Sequence, residues 1–245
     1  MGQSFALIGA GRMGQALATG WLNDPEPPHI SIVAPRPSDV VSDWAATGRV
    51  DLNPSPTPAD TVVIAVKPQV FPSVIEQIKA WIGPDTLVMS VMAGISIGQL
   101  VADLSIPRIV RAMPNTPGAV GKGVTLISGH ESLTAGDIET TRAILAPLGT
   151  VEGPMDEPTL QVATAISGCG PAYGFLLAEA MAEAGIAHGL EPDLAQRLAR
   201  QTVVGSGFLM DGTETTAADL RKGVTSPGGV TAEALRVLMA ENGIS

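Results

Sequence analysis

The hexapeptide Gly9-Ala10-Gly11-Arg12-Met13-Gly14 comes straight after an apolar run and opens a helical pattern. In that setting each glycine has its own task. Gly9 turns the chain, Gly11 lets main chain approach a pyrophosphate, and Gly14 lets the helix lie close on the strand. The phosphates would rest on the helix N-terminus, beside Arg12 and Met13. The next strand ends in Val33-Ala34-Pro35-Arg36-Pro37-Ser38. A site for NAD would carry an acidic residue there to hold the ribose 2′-hydroxyl. Past Ala34 this chain offers Arg36, which suits a 2′-phosphate, with Ser38 as a hydrogen-bond partner. NADP(H) is therefore the expected cofactor, with NAD(H) as the alternative.

Three further segments follow predicted strands: Ala65-Val66-Lys67-Pro68, Met92-Ala93-Gly94 and Met113-Pro114-Asn115-Thr116-Pro117-Gly118. Ligands of open α/β sheets bind beyond the carboxyl ends of the strands, and small or backbone-restricted residues suit a flat ring lying near main chain. Lys67 and Asn115 are the polar candidates there. Near the other end, Thr225-Ser226-Pro227-Gly228-Gly229-Val230-Thr231 leads into the last helical pattern. Such a bend presents backbone N–H groups to a carboxylate, with the hydroxyls of Ser226 and Thr231 alongside. That points to a small anionic substrate, although an ordinary N-capped turn has the same composition.

These segments need a scaffold. Strands are predicted over 5–9, 29–34, 61–66, 87–91, 108–112 and 124–128, alternating with helical patterns such as 11–22. The unbroken run Val62-Val63-Ile64-Ala65-Val66 suits a strand buried on both faces. The expected fold is α/β: an N-terminal Rossmann, doubly wound parallel sheet over residues 1–153, then an all-helical C-terminal domain over 154–245. The helical spacing runs over 159–187, 192–210 and 231–240, with an interruption at Ser167-Gly168-Cys169-Gly170-Pro171-Ala172-Tyr173. The second part is rich in small residues and too short to bury its apolar surface alone, so pairing with another subunit is expected.

Composition narrows the function class. The net charge is −10 with 3% aromatic residues, which argues against nucleic acid. Residues 1–150 carry a net −3 and 151–245 a net −7, so the less repulsive part is the one assigned to the polyanionic cofactor. Cys169 stands alone and excludes an internal disulfide, and His29, His130 and His188 lack metal-ligand spacing, so no metal is expected. Pro, Gly or charge interrupts the apolar runs before membrane-span length, and Met1-Gly2 begins neither a signal peptide nor a myristoylation motif. A cytoplasmic protein is expected.

Taken together, Gly9 to Gly14 with Met13, Ala65 to Pro68, Arg111-Ala112-Met113-Pro114-Asn115-Thr116-Pro117, Ser167 to Tyr173, and Leu220-Arg221 through Ser226-Pro-Gly-Gly-Val-Thr231 resemble pyrroline-5-carboxylate reductase. The resemblance covers nearly the whole chain. It implies NAD(P)H-dependent reduction of 1-pyrroline-5-carboxylate, a cyclic imino acid, to L-proline, and assembly at least as a homodimer through interlocking helices. It also implies that Ser226, Gly228, Gly229, Val230 and Thr231 hold the substrate carboxylate and ring nitrogen, with Thr231 as the catalytic contact. The nicotinamide would lie near Val66, Lys67, Ala93 and Asn115, with Pro68 a further cofactor candidate. Two departures stand out. Arg12 occupies a position where the family often has Asn or Lys, and the sequence ends at Ser245 where the family usually continues with another apolar helical stretch. The second departure leaves two readings, an altered assembly or a tail outside this sequence.

Overall fold

The computed structural model describes residues 3–240; Met1-Gly2 and the C-terminal positions from 241 onward lie outside them. By contacts the chain forms two compact units, residues 1–171 and 172–245.

The first unit is built on an eight-stranded sheet. Its strands are β1 (Ser4–Ile8), β2 (His29–Val33), β3 (Asp51–Leu52), β4 (Thr61–Ile64), β5 (Leu87–Ser90), β6 (Ile109–Met113), β7 (Gly123–Gly129) and β8 (Gly149–Glu152). Their spatial order is β3-β2-β1-β4-β5-β6-β7-β8. β1 pairs with β2 on one side and β4 on the other, so the chain reverses its direction of winding at β1 and leaves a crevice beyond its carboxyl end. The six expected strands are present, and the sheet is parallel but for one junction. β7 runs antiparallel to β6, the one exception in an otherwise parallel sheet. The physical reason is the connection. A short 3-10 turn at Thr116–Val120 is all that joins β6 to β7, whereas a parallel return needs a crossover of a dozen or more residues.

Helices α1 (Arg12–Leu22), α2 (Asp39–Ala46) and α5 (Ala135–Leu145) cover one face; α3 (Phe71–Lys79) and α4 (Ile97–Leu104) cover the other. Strand alternation feeds both layers: Phe5, Leu7 and Val63 point into the first, Ala6, Ile8, Val62 and Ile64 into the second. Arg108, at the start of β6, pairs with buried Asp137, whose other oxygen closes a capping box with Thr134 at the head of α5.

α6 (Glu157–Ser167) also belongs to the first unit by contacts. Asp156 caps it and Leu160 is fully buried. The second unit holds most of α7 (Gly170–Ala187), then α8 (Pro192–Asp211), α9 (Ala217–Gly223) and α10 (Val230–Leu238). Gly168 and Cys169 hardly interrupt the run. Glu157–Ala187 is a helical stretch of 31 residues, long and apolar enough by length and composition to cross a membrane. The expected break of every apolar run is thus weaker in three dimensions than in sequence. Among residues described in the second unit, only Ala182, Ala195 and Ala199 are buried apolar residues, while Tyr173, Phe175, Leu176 and Phe208 stay mostly exposed. A groove of about 600 Å³ between α7 and α8 is lined by Phe175, Ala178, Ala182, Ile186 and Val204, among others.

Candidate functional site

The glycine loop sits at the carboxyl end of β1. Gly9 has φ +97°, and a Cβ there would come within 2.9 Å of the Ala65 carbonyl group; a Cβ on Gly14 would collide with the Gly9 carbonyl oxygen. Both positions therefore exclude a side chain, one for the turn and one for helix-on-strand packing. Gly11 is different. It is the N-cap of α1, offers no side-chain hydrogen bond, and has open space where a Cβ would project. Main chain can approach a ligand there, so the cradle fits a pyrophosphate.

Backbone hydrogen bonds bring the neighbouring segments to the same edge. Gly9 N donates to Val33 O (2.9 Å), Ala65 N to Ile8 O (2.8 Å) and Val91 N to Ile64 O (3.0 Å). Ala34, Val66, Pro68 and Ala93 thus follow adjacent strand ends, with Met13 half-buried behind the glycine turn. Three cations share this edge: Arg12, Arg36 and Lys67. They are exposed, and among the nine Lys and Arg of the first unit only their side chains make no hydrogen bond or ion pair with the described residues. Cations left unpaired where a helix N-terminus also points are an arrangement for polyanions.

Two positions behave differently from a bare ligand contact. Ser38 caps α2, its hydroxyl oxygen accepting from Val41 N at 3.4 Å, so its proton alone remains for a phosphate. Asn115 is buried. Its Oδ1 accepts from Val124 N (2.9 Å) and its Nδ2 donates to Ser167 O (2.9 Å), so the amide ties the end of β6 to β7 and to the end of α6.

The structure also brings in residues that the sequence reading passed over. Asn53, with φ +51°, receives Ala34 N on Oδ1 (2.8 Å) and donates Nδ2 to Ala34 O (3.0 Å), extending the β2–β3 ladder and fixing the turn before Arg36. Asn followed by Pro54 was the available signal. Glu157 accepts from Arg111 Nη1 (2.7 Å) and Ile97 N (3.1 Å). No local pattern announces it.

In the second unit, Ser226 to Thr231 form the entry to α10. Gly228 has φ +70°, and Gly229 is the N-cap, again without a side-chain hydrogen bond. Gly229 N is already given to Ser226 O (3.1 Å), which leaves the N–H groups of Gly228, Val230 and Thr231 without partners among the described residues. Val230 is 89% exposed, and the hydroxyls of Ser226 and Thr231 make no hydrogen bond with the described residues. Side-chain caps close α2, α4, α5, α6, α8 and α9. By contrast, α1 and α10 begin at bare glycines, so their first-turn N–H groups point at solvent or ligand.

No cluster of three or more His, Cys, Asp or Glu suited to a metal occurs among the described residues. His29 lies 2.9 Å from Asp51, His130 bonds Ser132, and His188 bonds the Ala184 carbonyl. Cys169 is exposed.

Comparison with known proteins agrees with this layout. Residues 157–245 match the family model for pyrroline-5-carboxylate reductase dimerisation, and residues 4–94 match the one for NADP oxidoreductase, coenzyme F420-dependent. The pyrroline-5-carboxylate reductase of Synechocystis sp. is 32% identical over 243 residues, spanning 97% of this chain and 90% of that protein. A solved pyrroline-5-carboxylate reductase from Coxiella burnetii superposes with a TM-score of 0.89 at 32% identity, covering 99% of this chain and 92% of the other. The Plasmodium falciparum pyrroline carboxylate reductase, solved with NADP bound, gives 0.78 at 29% identity, over 97% and 89% of the two chains. With a sheet wound about a glycine-capped helix and relatives aligned along almost its full length, the chain belongs to the pyrroline-5-carboxylate reductase family.

Proposed function

We propose that this chain catalyses the NADPH-dependent reduction of 1-pyrroline-5-carboxylate to L-proline, the last step of proline biosynthesis. The observation that carries the reading is the pair of helices, α1 and α10, that begin at uncapped glycines, since these open the two segments assigned to a pyrophosphate and a carboxylate. Membership of the family supplies the substrate.

Gly9, Gly11 and Gly14 shape the pyrophosphate cradle with Arg12 and Met13; Ala34 and Arg36 serve the 2′-phosphate end; Val66, Lys67, Pro68, Ala93 and Asn115 serve the ring end, Asn115 by holding the loop rather than by its amide. When bound, the reduced nicotinamide supplies a hydride for the C=N carbon. The imine enters already protonated, so the protein needs no strong acid, and positioning dominates. Ser226 and the backbone N–H groups of Gly228 and Val230 hold the carboxylate, with Gly229 shaping the bend. The Thr231 hydroxyl hydrogen-bonds the ring nitrogen and orients the imine. NAD(H) serves as the weaker cofactor, because Arg36 has no 2′-phosphate to bind in it.

The exposed apolar helices of the second unit are covered by a second copy, giving at least a homodimer, which the match to a dimerisation model supports. The same pairing accounts for the apolar length of Glu157–Ala187 without a bilayer. This reading divides the roles near residues 153 and 154, nucleotide binding before and dimerisation with substrate binding after, in a cytoplasmic enzyme with no nucleic-acid or membrane partner.

The test is NADPH oxidation, followed by absorbance, with 1-pyrroline-5-carboxylate and a panel of other cyclic and open-chain imino acids, and with NADH in parallel. Turnover of 1-pyrroline-5-carboxylate should far exceed the rest. Faster turnover of another imino acid would replace the substrate, and binding without any turnover would reduce the protein to a dinucleotide sensor.

A further inference from the structure

We propose that Glu157 is a positioning residue for the nicotinamide half of the dinucleotide site, acting through Arg111 and the N-terminus of α4; the proposal rests on the functional reading above. One oxygen, Oε1, takes both contacts: Arg111 Nη1 at 2.7 Å and the Ile97 N–H at 3.1 Å. Ile97 is the first residue of α4, and the loop 93–96 leads into it directly.

Hydrogen bonds among the described residues hold that loop at both ends, and between them the side chain of Ile95 packs on the core. Upstream, Met92 is buried, and its N–H donates to the Ser90 hydroxyl at 3.3 Å. Downstream, Ser96 caps α4 by accepting from Gln99 N at 3.2 Å, and Glu157 takes the N–H of Ile97. Between these anchors Ala93 and Gly94 are exposed, Gly94 at φ +77°. They follow β5, on the side of β1 opposite to β2 and Arg36. A dinucleotide laid across the winding reversal places its adenosine toward β2 and its other ring toward β4, β5 and β6. The position of Ala93 against that ring is therefore set in part by what Glu157 holds.

Arg111 makes the clamp stiff. It lies on β6 with its side chain only 12% exposed, and its Nε has no hydrogen-bond partner among the described residues. Glu157 is its one ion-pair partner there, so removing the carboxylate leaves a nearly buried cation uncompensated. The same carboxylate sits at the N-terminal ends of two helices, α4 and its own α6, where negative charge is favoured. The junction thus ties β6, α4 and α6 around the ring end, and among the described residues Glu157, Arg111 and Ile97 make no side-chain hydrogen bond to the glycine loop or Arg36.

The test compares two probes on the intact protein: NADPH, which spans both halves, and 2′,5′-ADP, which reaches the adenosine half alone. Glu157→Ala should weaken NADPH binding roughly tenfold and leave 2′,5′-ADP within about twofold, since displacement is confined to the ring end. Glu157→Gln keeps an oxygen for Ile97 N, so it should show the same selectivity at smaller size and serves if the alanine variant does not fold. Parallel losses for both probes, or unchanged NADPH affinity in Glu157→Ala, overturn the proposal. A wild-type protein that binds neither probe would instead overturn the reading of the site itself.

Discussion

Helices α1 and α10 start alike and then diverge. Each has a glycine N-cap with no side-chain hydrogen bond. Yet α1 buries Leu17 and Ala18 completely against the sheet, whereas α10 has no buried residue. The contrast extends to their units. All the largest fully buried side chains, such as Phe71, Ile64 and Leu100, lie in the first unit, while Phe175 in the second is 68% exposed. On the proposed reading, one means of capturing anions is thus mounted on two kinds of support. The edge assigned to the nucleotide rests on a core that a single chain completes, and the bend assigned to the carboxylate rests on helices whose apolar surface a single chain leaves exposed.

The largest expected effect tests the bare N-terminus of α10. Thr231→Val removes the hydroxyl and keeps the shape, and should lower kcat about a hundredfold or more, as losing one aimed donor does. The N–H groups of the bend remain, so KM should move far less; steady-state kinetics with 1-pyrroline-5-carboxylate separates the two, and unchanged constants would remove the role. Next comes the unfinished apolar surface. Phe175→Asp should weaken self-association by on the order of 2 kcal/mol or more, as a truncated interface anchor does. Sedimentation or light scattering would then find smaller species at micromolar concentration, and NADPH binding, assigned to the first unit, should persist. An unchanged assembly would show that α7 is covered in another way.

The smallest effect belongs to the closed core. Asp137→Asn breaks the pair with Arg108 and should destabilise the fold by about 2 kcal/mol, below the range for fully buried pairs because Arg108 is partly open to solvent. Burial alone would push the Asp137 carboxyl up, but hydrogen bonds from Arg108 and Thr134 outweigh it and hold the carboxyl below its ordinary value. A lowered carboxyl contributes stability above its unfolded value of about 3.9, and that contribution fades as pH falls through the folded value. The stability gap between wild type and Asp137→Asn should therefore be full at neutral pH and shrink below about pH 4. Denaturant titrations across that range would show whether the ion pair or only the helix cap matters.

Much of this was legible in the residues. The run from Val62 to Val66 announced a strand buried on both faces, and Val63 indeed faces one layer while Val62 and Ile64 face the other. Gly9 and Gly14 declared a tight turn and a close helix, as their blocked Cβ positions bear out. β3 and β8 were not legible, since two- and four-residue strands with half-exposed residues carry no period of their own and exist because a neighbour pairs with them. The reversal of β7 was hidden because apolar alternation looks the same in either direction. The loop marks Asn115 as a candidate near the ring, but not that its amide serves Val124 and Ser167, which only the fold brings to it.

What the amino-acid order determined by itself is local: where glycine must stand for the chain to turn, which helices start without a side-chain cap, and which runs are too apolar for water. These follow from backbone sterics and from spacing within one element. What only the tertiary structure decided is which distant groups share a charge or a hydrogen bond. Glu157 meets Arg111 and the head of α4, and Asn53 locks Ala34, because sheet register and helix packing bring together residues far apart along the chain. Such contacts depend on directions in space that no periodicity in the chain encodes.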